Sequence, residues 1–211
     1  MELVIELKGV VAVLGSFPAL AGIDLTVHRG EILLLQGPNG AGKTSLLRVC
    51  AGLLPIERGE GRVLGIDVTS QREDIRARVG LLGHSNGLYL DLTVEQNVEF
   101  WAATVGASKA EIASAMKRMN VDGRLSTVKA SQLSAGQRRR TALASLIVRR
   151  AEIWLLDEPH AGLDAAGRDE LDGLLRDAVA AGATVVLASH ESERASGLAT
   201  RIVTVDGGGA R

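Results

Sequence analysis

A stretch whose residue types suit phosphate binding lies at residues 37–44, which read Gly-Pro-Asn-Gly-Ala-Gly-Lys-Thr and match the pattern G-x-x-x-x-G-K-S/T. Residues 31–36 before it are a mainly apolar run of strand length, and residues 46–54 after it carry leucines at helical spacing. In that setting the glycines let the backbone curl, so that several N–H groups and the positive end of the helix dipole face one anion. The sequence therefore predicts a phosphate-binding loop between a strand and a helix.

The predicted loop assigns nucleotide binding to nine consecutive residues. They are Gly37, Pro38, Asn39, Gly40, Ala41, Gly42, Lys43, Thr44 and Ser45. We expect the ammonium group of Lys43 to reach the β- and γ-phosphates and the hydroxyl group of Thr44 to bind Mg²⁺. Glycine is abundant in this chain, so the pattern alone could arise by chance. The strand before it and the helix after it favour a nucleotide site.

A second motif, residues 153–158, is an apolar strand that ends in two adjacent acids, Asp157 and Glu158. Such a strand places both carboxylates at the edge of the sheet where open α/β folds bind their ligands. Asp157 is expected to hold Mg²⁺ through water, and Glu158 to act as the general base for an attacking water. Taken alone, the segment favours a strand that merely ends at a solvated acidic turn. The phosphate loop upstream favours the catalytic interpretation.

The third motif consists of Leu133, Ser134, Ala135, Gly136 and Gln137, and three arginines follow it. Serine and a glutamine three residues later form a capping box, which predicts the start of a helix. A Ser-x-Gly helix start is also an anion site, although a capped surface helix with a basic first turn remains the alternative. Because arginines at a helix N-terminus oppose its dipole, we expect a negative group nearby.

The composition excludes several classes of protein. The chain has 211 residues, is 46% hydrophobic and carries a formal net charge of -1, which argues against a dedicated nucleic-acid binder. Its lone cysteine, Cys50, rules out an internal disulfide and a cysteine zinc site, and is expected to pack in the core. No apolar run approaches the roughly 18 residues of a membrane span, and the first residues lack signal-peptide features. A cytoplasmic protein is expected.

Apolar periodicity divides the chain into three regions. Residues 3–14 and 19–28 alternate in polarity and predict a small antiparallel sheet. From residue 150 strands alternate with helices, which predicts parallel pairing with helices on the faces. The predicted strands are residues 153–156, 184–188 and 202–205, and Asp164 is placed to cap the helix between the first two.

The region between these two parts has helical character. Thr93 with Gln96 and Ser108 with Glu111 form capping-box pairs ahead of apolar-periodic runs. The sequence therefore predicts a helical lobe at about residues 85–149, inserted into the core.

Taken together, these motifs identify a family. The chain resembles the nucleotide-binding subunit of ABC transporters along nearly its full length. The match covers the phosphate loop, the signature at residues 133–137, the acidic strand, the loop at residues 161–164 and His190. The resemblance implies an α/β fold, a P-loop NTPase (RecA-like) core with an N-terminal antiparallel β subdomain and an inserted helical lobe. One ABC ATPase domain would span residues 1–211, with the core at residues 1–84 and 150–211.

The resemblance also implies a mechanism. Two subunits, identical or alike, would sandwich two ATP molecules head to tail, and the phosphate loop of each would face Ser134 and Gly136 of the other. ATP and Mg²⁺ would be bound, and ATP and water would yield ADP and phosphate in a reaction coupled to transport. His190 would contact the γ-phosphate and hold the water together with Glu158. Asp164 would couple the two sites across the dimer.

Two positions depart from the family pattern. His84 stands where relatives place a glutamine that senses Mg²⁺ and the γ-phosphate, so it is either a sensor of the metal site or a residue without that role. Relatives also stack adenine on an aromatic residue upstream of the phosphate loop. Here Leu14 occupies that position and Phe17 follows three residues later, so either side chain is a candidate for the adenine contact.

The histidine makes a prediction about pH. An imidazole can change its charge near neutral pH, whereas a glutamine cannot. ATP hydrolysis is therefore expected to depend more steeply on pH in the natural chain than in the His84→Gln variant. Rate profiles of both proteins between pH 5.5 and 8.5 test this, and identical profiles would reject a sensing role for the imidazole.

The partners implied are integral-membrane permease subunits, docked through residues 85–105 with Phe100 and Trp101 as candidate contacts. That places the chain at the cytoplasmic face of the membrane, and no nucleic acid is expected. The short length, the Gly-His pair at residues 83–84 and the signature with its three arginines resemble the haem-exporter ATPases of cytochrome c maturation. The ATPase of a drug, lipid or ion exporter and a soluble ATPase for iron–sulfur assembly remain alternatives. A GTPase or kinase is disfavoured because residues 133–137 have no role in either.

Overall fold

The computed structural model describes residues 2–189, 192–206 and 209–210. Their contacts define two compact units, which are described separately below. The core unit contains Met1–Leu81, Glu152–Glu158 and Leu174–Arg211, and the lobe contains Leu82–Ala151 and Pro159–Gly173. The lobe thus includes residues 159–173, a segment that the sequence assigned to the core.

The helices and strands follow one another with short connections. In chain order they are β1 (Leu3–Leu14), β2 (Phe17–His28), β3 (Ile32–Gln36), α1 (Lys43–Cys50), β4 (Arg58–Val63), β5 (Ile66–Asp67), α2 (Arg72–Arg78), β6 (Val79–Leu82), α3 (Val94–Thr104), α4 (Lys109–Arg118), α5 (Ala135–Val148), β7 (Ile153–Asp157), α6 (Ala165–Ala180), β8 (Thr184–Ala188), α7 (Ser192–Leu198), β9 (Arg201–Asp206) and β10 (Gly209–Ala210). Two 3₁₀ turns, Gly123–Leu125 and Ala130–Gln132, lie between α4 and α5.

The antiparallel sheet of the core unit confirms the predicted hairpin and extends it. Strands β1 and β2 pair from Leu3 opposite His28 to Leu14 opposite Phe17, and β4 and β5 complete the order β2-β1-β4-β5. Strand β2 begins earlier than predicted and includes Pro18. As β2 lies at the edge of the sheet, a residue without a backbone N–H is tolerated there.

The second sheet brings three strand ends together. Its order is β10-β9-β3-β8-β7-β6, and β8 lies parallel to both of its neighbours, β3 and β7. All residues of β7 and β8 are buried, as expected for parallel strands covered on both faces. Because parallel strands end at the same edge, the residues that follow β3, β7 and β8 share that edge of the sheet.

Helix α1 begins at the phosphate loop and packs its apolar face into the core. Leu46, Leu47 and Cys50 are buried, which confirms the packing role predicted for the cysteine. Burial raises the pKa of the Cys50 thiol to about 12. The thiol therefore stays protonated and unreactive at neutral pH.

The lobe is built on three capped helices. Thr93, Ser108 and Ser134 each accept a hydrogen bond from a backbone N–H three residues later, and the glutamine or glutamate at that position bonds back. These are the capping boxes predicted for α3, α4 and α5. Among the described residues, no helix combines the length and the apolar character that crossing a bilayer requires.

Candidate active site

The phosphate loop needs glycine at two positions for steric reasons. A Cβ on Gly37 would lie 2.0 Å from the carbonyl oxygen of Val205, and one on Gly42 would lie 2.7 Å from that of Ala19. Both residues also have positive φ angles, 148° and 103°. The loop can therefore curl against its neighbours only with glycine at these places.

The other predicted nucleotide-binding residues differ in exposure. Pro38, Asn39, Gly40 and Thr44 are exposed, Ser45 is half-buried, and Ala41 is buried. The exposed members leave one side of the curl open to solvent. A phosphate could therefore approach the loop without displacing the core.

Lys43 is held inside the curl of its own loop. The side chain is 8% exposed, and Nζ donates hydrogen bonds to the carbonyl oxygens of Gly37 at 2.6 Å and Pro38 at 2.9 Å. A buried ammonium group without acceptors would carry a large desolvation cost, so these carbonyls stabilise the lysine in place. The charge is thus positioned beside the loop that a phosphate would occupy.

A hydrogen bond joins the first two motifs. The hydroxyl group of Thr44 donates to Oδ2 of Asp157 at 2.7 Å, although the two residues are 113 positions apart. Strand β7 brings Asp157 to this position, and β3 leads into the loop that carries Thr44. Hydroxyl and carboxylate oxygens are the hard ligands that Mg²⁺ takes in phosphate sites, so this pair fits the predicted metal.

Glu158 lies at the turn that ends β7. Its φ angle is 49°, in the left-handed region that residues other than glycine seldom adopt. Its backbone N–H donates to Ala188 at 2.8 Å, and Oε2 accepts a hydrogen bond from the hydroxyl of Ser189 at 3.3 Å. Non-glycine residues in this conformation cluster at functional sites, because the surrounding structure must stabilise them.

Ser189 was not predicted as a site residue. It is buried and directly follows β8, just as Glu158 directly follows β7. The two residues meet because β7 and β8 are paired in the sheet, and the local sequence does not show that pairing. The next residue, His190, was predicted to contact the γ-phosphate, and it lies outside the described residues.

The signature residues form the start of α5 in the lobe. Leu133 is buried and anchors the motif, while Ser134 and Ala135 are exposed and Gly136 and Gln137 are half-buried. An anchored residue followed by exposed ones presents the helix start to the outside. This geometry suits an anion supplied by another molecule.

The three arginines after the signature find their partners inside the lobe. Nε of Arg138 donates to the carbonyl oxygen of Leu133 at 3.0 Å. Arg140 forms an ion pair with Glu170 and lies 4.0 Å from Asp164. The negative groups expected from the helix dipole are therefore carboxylates of this chain, and they do not themselves indicate a ligand.

Asp164 caps α6, as predicted. Oδ1 accepts a hydrogen bond from the backbone N–H of Gly167 at 2.9 Å, while the side chain remains 79% exposed.

Four residues before Asp164, His160 is buried, and its Nε2 lies 2.7 Å from Oδ1 of Asp172 on α6. This pair fixes the segment between Glu158 and α6. It was not predicted, because a lone histidine after a proline has no distinctive pattern.

The two departures from the family pattern both lie on the surface. His84 is exposed in the turn that follows β6. At the tip of the β1–β2 hairpin, Leu14 is 52% exposed and Phe17 78% exposed. The aromatic ring of Phe17 is thus accessible, as a residue that contacts adenine must be.

This combination of a parallel sheet, a glycine-rich phosphate loop and an acidic strand end defines a P-loop ATPase with an inserted lobe. The chain belongs to the ABC transporter family, whose model matches residues 20–161, and it is an ATP-hydrolysing subunit of that class. Two curated relatives are cytochrome c biogenesis ATP-binding export proteins named CcmA. The relative from Bradyrhizobium diazoefficiens is 38% identical over 87% of this chain and 90% of its own length. The relative from Bordetella bronchiseptica is 40% identical over 87% of this chain and 83% of its own length.

Solved structures agree with this assignment. A bacterial ABC transporter cassette determined as a dimer superposes with a TM-score of 0.90 and 27% identity, covering 98% of this chain and 96% of that one. A dimeric cassette in a post-hydrolysis state, bound to ADP and phosphate, superposes with a TM-score of 0.86 and 25% identity over the same shares. The predicted fold class is therefore confirmed.

Proposed function

We propose that this chain powers export in cytochrome c biogenesis, with haem as the exported group, by hydrolysing ATP on behalf of membrane permease subunits. The similarity to export proteins of that process, over most of both chains, supports the pathway. The observation that carries the hydrolytic part is the hydrogen bond between Thr44 and Asp157, because it unites the phosphate loop with the acidic strand.

The site residues of the core unit each have a distinct role in the proposed reaction. The loop N–H groups and Lys43 bind the β- and γ-phosphates, and Lys43 exchanges its loop carbonyls for phosphate oxygens. Thr44 and Asp157 would hold Mg²⁺, which when bound would neutralise charge on the phosphate oxygens. Glu158 accepts a proton from the attacking water. The water oxygen then bonds to the γ-phosphorus, and the bond from that phosphorus to the bridging oxygen breaks.

The signature completes the site from a second subunit. Ser134 and Gly136 of one copy face the γ-phosphate bound by the other, and Asp164 contributes at the seam between them. The exposed helix start at Ser134 and the solved dimers of similar cassettes support this arrangement. Two identical or similar subunits therefore form two ATP sites.

Permease docking is assigned to the lobe. The ring of Phe100 lies 4.8 Å from that of Tyr89 and 5.3 Å from that of Trp101, and we call these three residues the aromatic cluster. Tyr89 and Phe100 are 48% and 42% exposed, which leaves an apolar surface available to a partner. The guanidinium group of Arg149 lies 4.4 Å from the Trp101 ring centroid and stabilises its orientation. Docking there would place the chain at the cytoplasmic face of the membrane.

Affinity purification from detergent-solubilised membranes tests the proposed partner. The tagged natural chain should retain a multi-span permease, and Phe100→Ala should retain less. Leu53→Ala, which truncates a similarly exposed leucine of the core unit, is the matched control and should retain as much as the natural chain. Recovery of a soluble partner alone would reject the transport role. Recovery of a permease encoded apart from cytochrome c assembly genes would reject the pathway.

A further inference from the structure

One of the three arginines that follow the signature forms a hydrogen bond to the residue before His84. Arg139 is the buried member of the three, with 3% of its surface exposed. Guanidinium groups are seldom buried without a structural partner, because removing the charge from water is costly. Its Nη1 donates a hydrogen bond to the carbonyl oxygen of Gly83 at 3.0 Å. Gly83 is the residue directly before His84.

The acceptor has a particular place in the backbone. The same carbonyl of Gly83 accepts a hydrogen bond from the N–H of Asn86 at 3.3 Å, which closes a four-residue turn. His84 and Ser85 are the two central residues of that turn. Arg139 therefore binds the oxygen that holds the turn closed and that sets where His84 is presented.

The donor has a particular place as well. Arg139 lies on α5, five residues after Ser134, the residue that caps this helix and begins the candidate anion site. One charge-assisted hydrogen bond thus connects the start of the signature helix to the turn that carries His84. Both ends lie within the lobe.

We propose that Arg139 is a positioning residue for His84: it holds the turn of residues 83–86 to the signature helix, so that the γ-phosphate-sensing side chain and the signature keep one fixed arrangement. The inference rests on the proposed function and on the sensing role that the family resemblance implies for the position of His84. Through this contact, nucleotide bound at the ATP site of one chain would be linked to the signature of the same chain. That signature serves the ATP site of the second chain.

A double-mutant cycle on the full-length chain tests this. Arg139→Met should lower kcat for ATP about tenfold, the size expected when one charge-assisted hydrogen bond is lost, while KM changes little. Methionine fills a similar volume without leaving a buried charge, so the melting temperature should hold. Arg139→Lys keeps a charged donor and should retain most of the activity. Arg124→Met, at an exposed arginine of the lobe, is the control and should behave like the natural chain.

The decisive comparison adds His84→Ala. If Arg139 acts through His84, the double variant is no slower than His84→Ala alone. Effects that multiply would overturn the inference, and so would a loss of activity in Arg139→Met together with full activity in His84→Ala. If Glu158→Gln abolishes ATP hydrolysis, the proposed catalytic site is established independently of Arg139. Multiplying effects would then reject the role of Arg139 and leave the proposed function standing.

Discussion

The Glu158→Gln variant is expected to bind ATP normally and to hydrolyse it roughly 10²–10⁴ times more slowly than the natural chain, the range that a general base contributes. An amide cannot accept the proton of the attacking water. Its oxygen can still accept the hydrogen bond from Ser189, so the side chain should keep its position. With binding intact and turnover blocked, ATP should accumulate in a closed dimer.

Two measurements check this expectation. Phosphate release gives the rate, and size-exclusion chromatography with light scattering gives the fraction of dimer in the presence of ATP and Mg²⁺. Glu193→Gln, at an exposed glutamate of the core unit, is the control and should hydrolyse ATP at the natural rate. A Glu158→Gln chain that retains a third or more of the natural rate would show that another group activates the water.

The Lys43→Met variant is expected to lose nucleotide affinity by roughly 10- to 100-fold, which corresponds to the hydrogen bonds that a charged donor makes to phosphate. The nucleotide-free protein should be as stable as the natural chain or more so, because the change removes a buried charge and replaces it with an apolar side chain of similar length. Affinity and stability should therefore respond independently to this substitution.

Thermal unfolding with and without ATP separates the two effects. At an ATP concentration a few times the Kd of the natural chain, ATP should raise the melting temperature of the natural chain and raise that of Lys43→Met far less, because a ligand stabilises a protein only to the extent that it binds. Arg48→Met, on the exposed side of the same helix, serves as the control and should respond to ATP. An equal shift in Lys43→Met would contradict the phosphate contact.

Much of the fold could be predicted because its signals are local. Strands β7 and β8 are each built on an unbroken run of four apolar residues bounded by turn residues, and the lobe helices begin with capping boxes that involve residues only three apart. Strand β4 was not predicted. It reads Arg-Gly-Glu-Gly-Arg-Val, with two glycines and no apolar alternation, and it forms a strand because β1 offers it a ladder of backbone partners. Pairing of that kind depends on tertiary context, which the local sequence does not contain.

The candidate site, like the fold, has parts that the local sequence predicts and parts that depend on tertiary contacts. The phosphate loop and the acidic strand each carry a contiguous pattern, so the sequence indicated their chemistry. The hydroxyl of Ser189 near Glu158, the contact of Arg139 with Gly83 and the pairing of His160 with Asp172 join residues that are 12 to 56 positions apart. No spacing rule predicts such pairs. They become visible only when strand order and helix packing bring the partners together.

The central claim is that each ATP site is built from two chains, and mixing two inactive variants tests it most directly. Lys43→Met removes the phosphate contact. Ala135→Asp places a carboxylate at the exposed start of α5, where it favours the helix and repels phosphate. With ATP kept below the concentration that Lys43→Met binds, neither variant alone should hydrolyse ATP at an appreciable rate, because both sites of each homodimer are damaged.

A mixed dimer of these variants pairs one damaged site with one intact site. An equal mixture should therefore recover about a quarter of the natural rate, since half of the dimers are mixed and each has one working site. A chain that carries both substitutions, assayed alone at the same total concentration, is the control and should stay inactive. Recovery in the mixture is the result that the two-chain site predicts. A mixture as inactive as its components would show that each site lies within one chain.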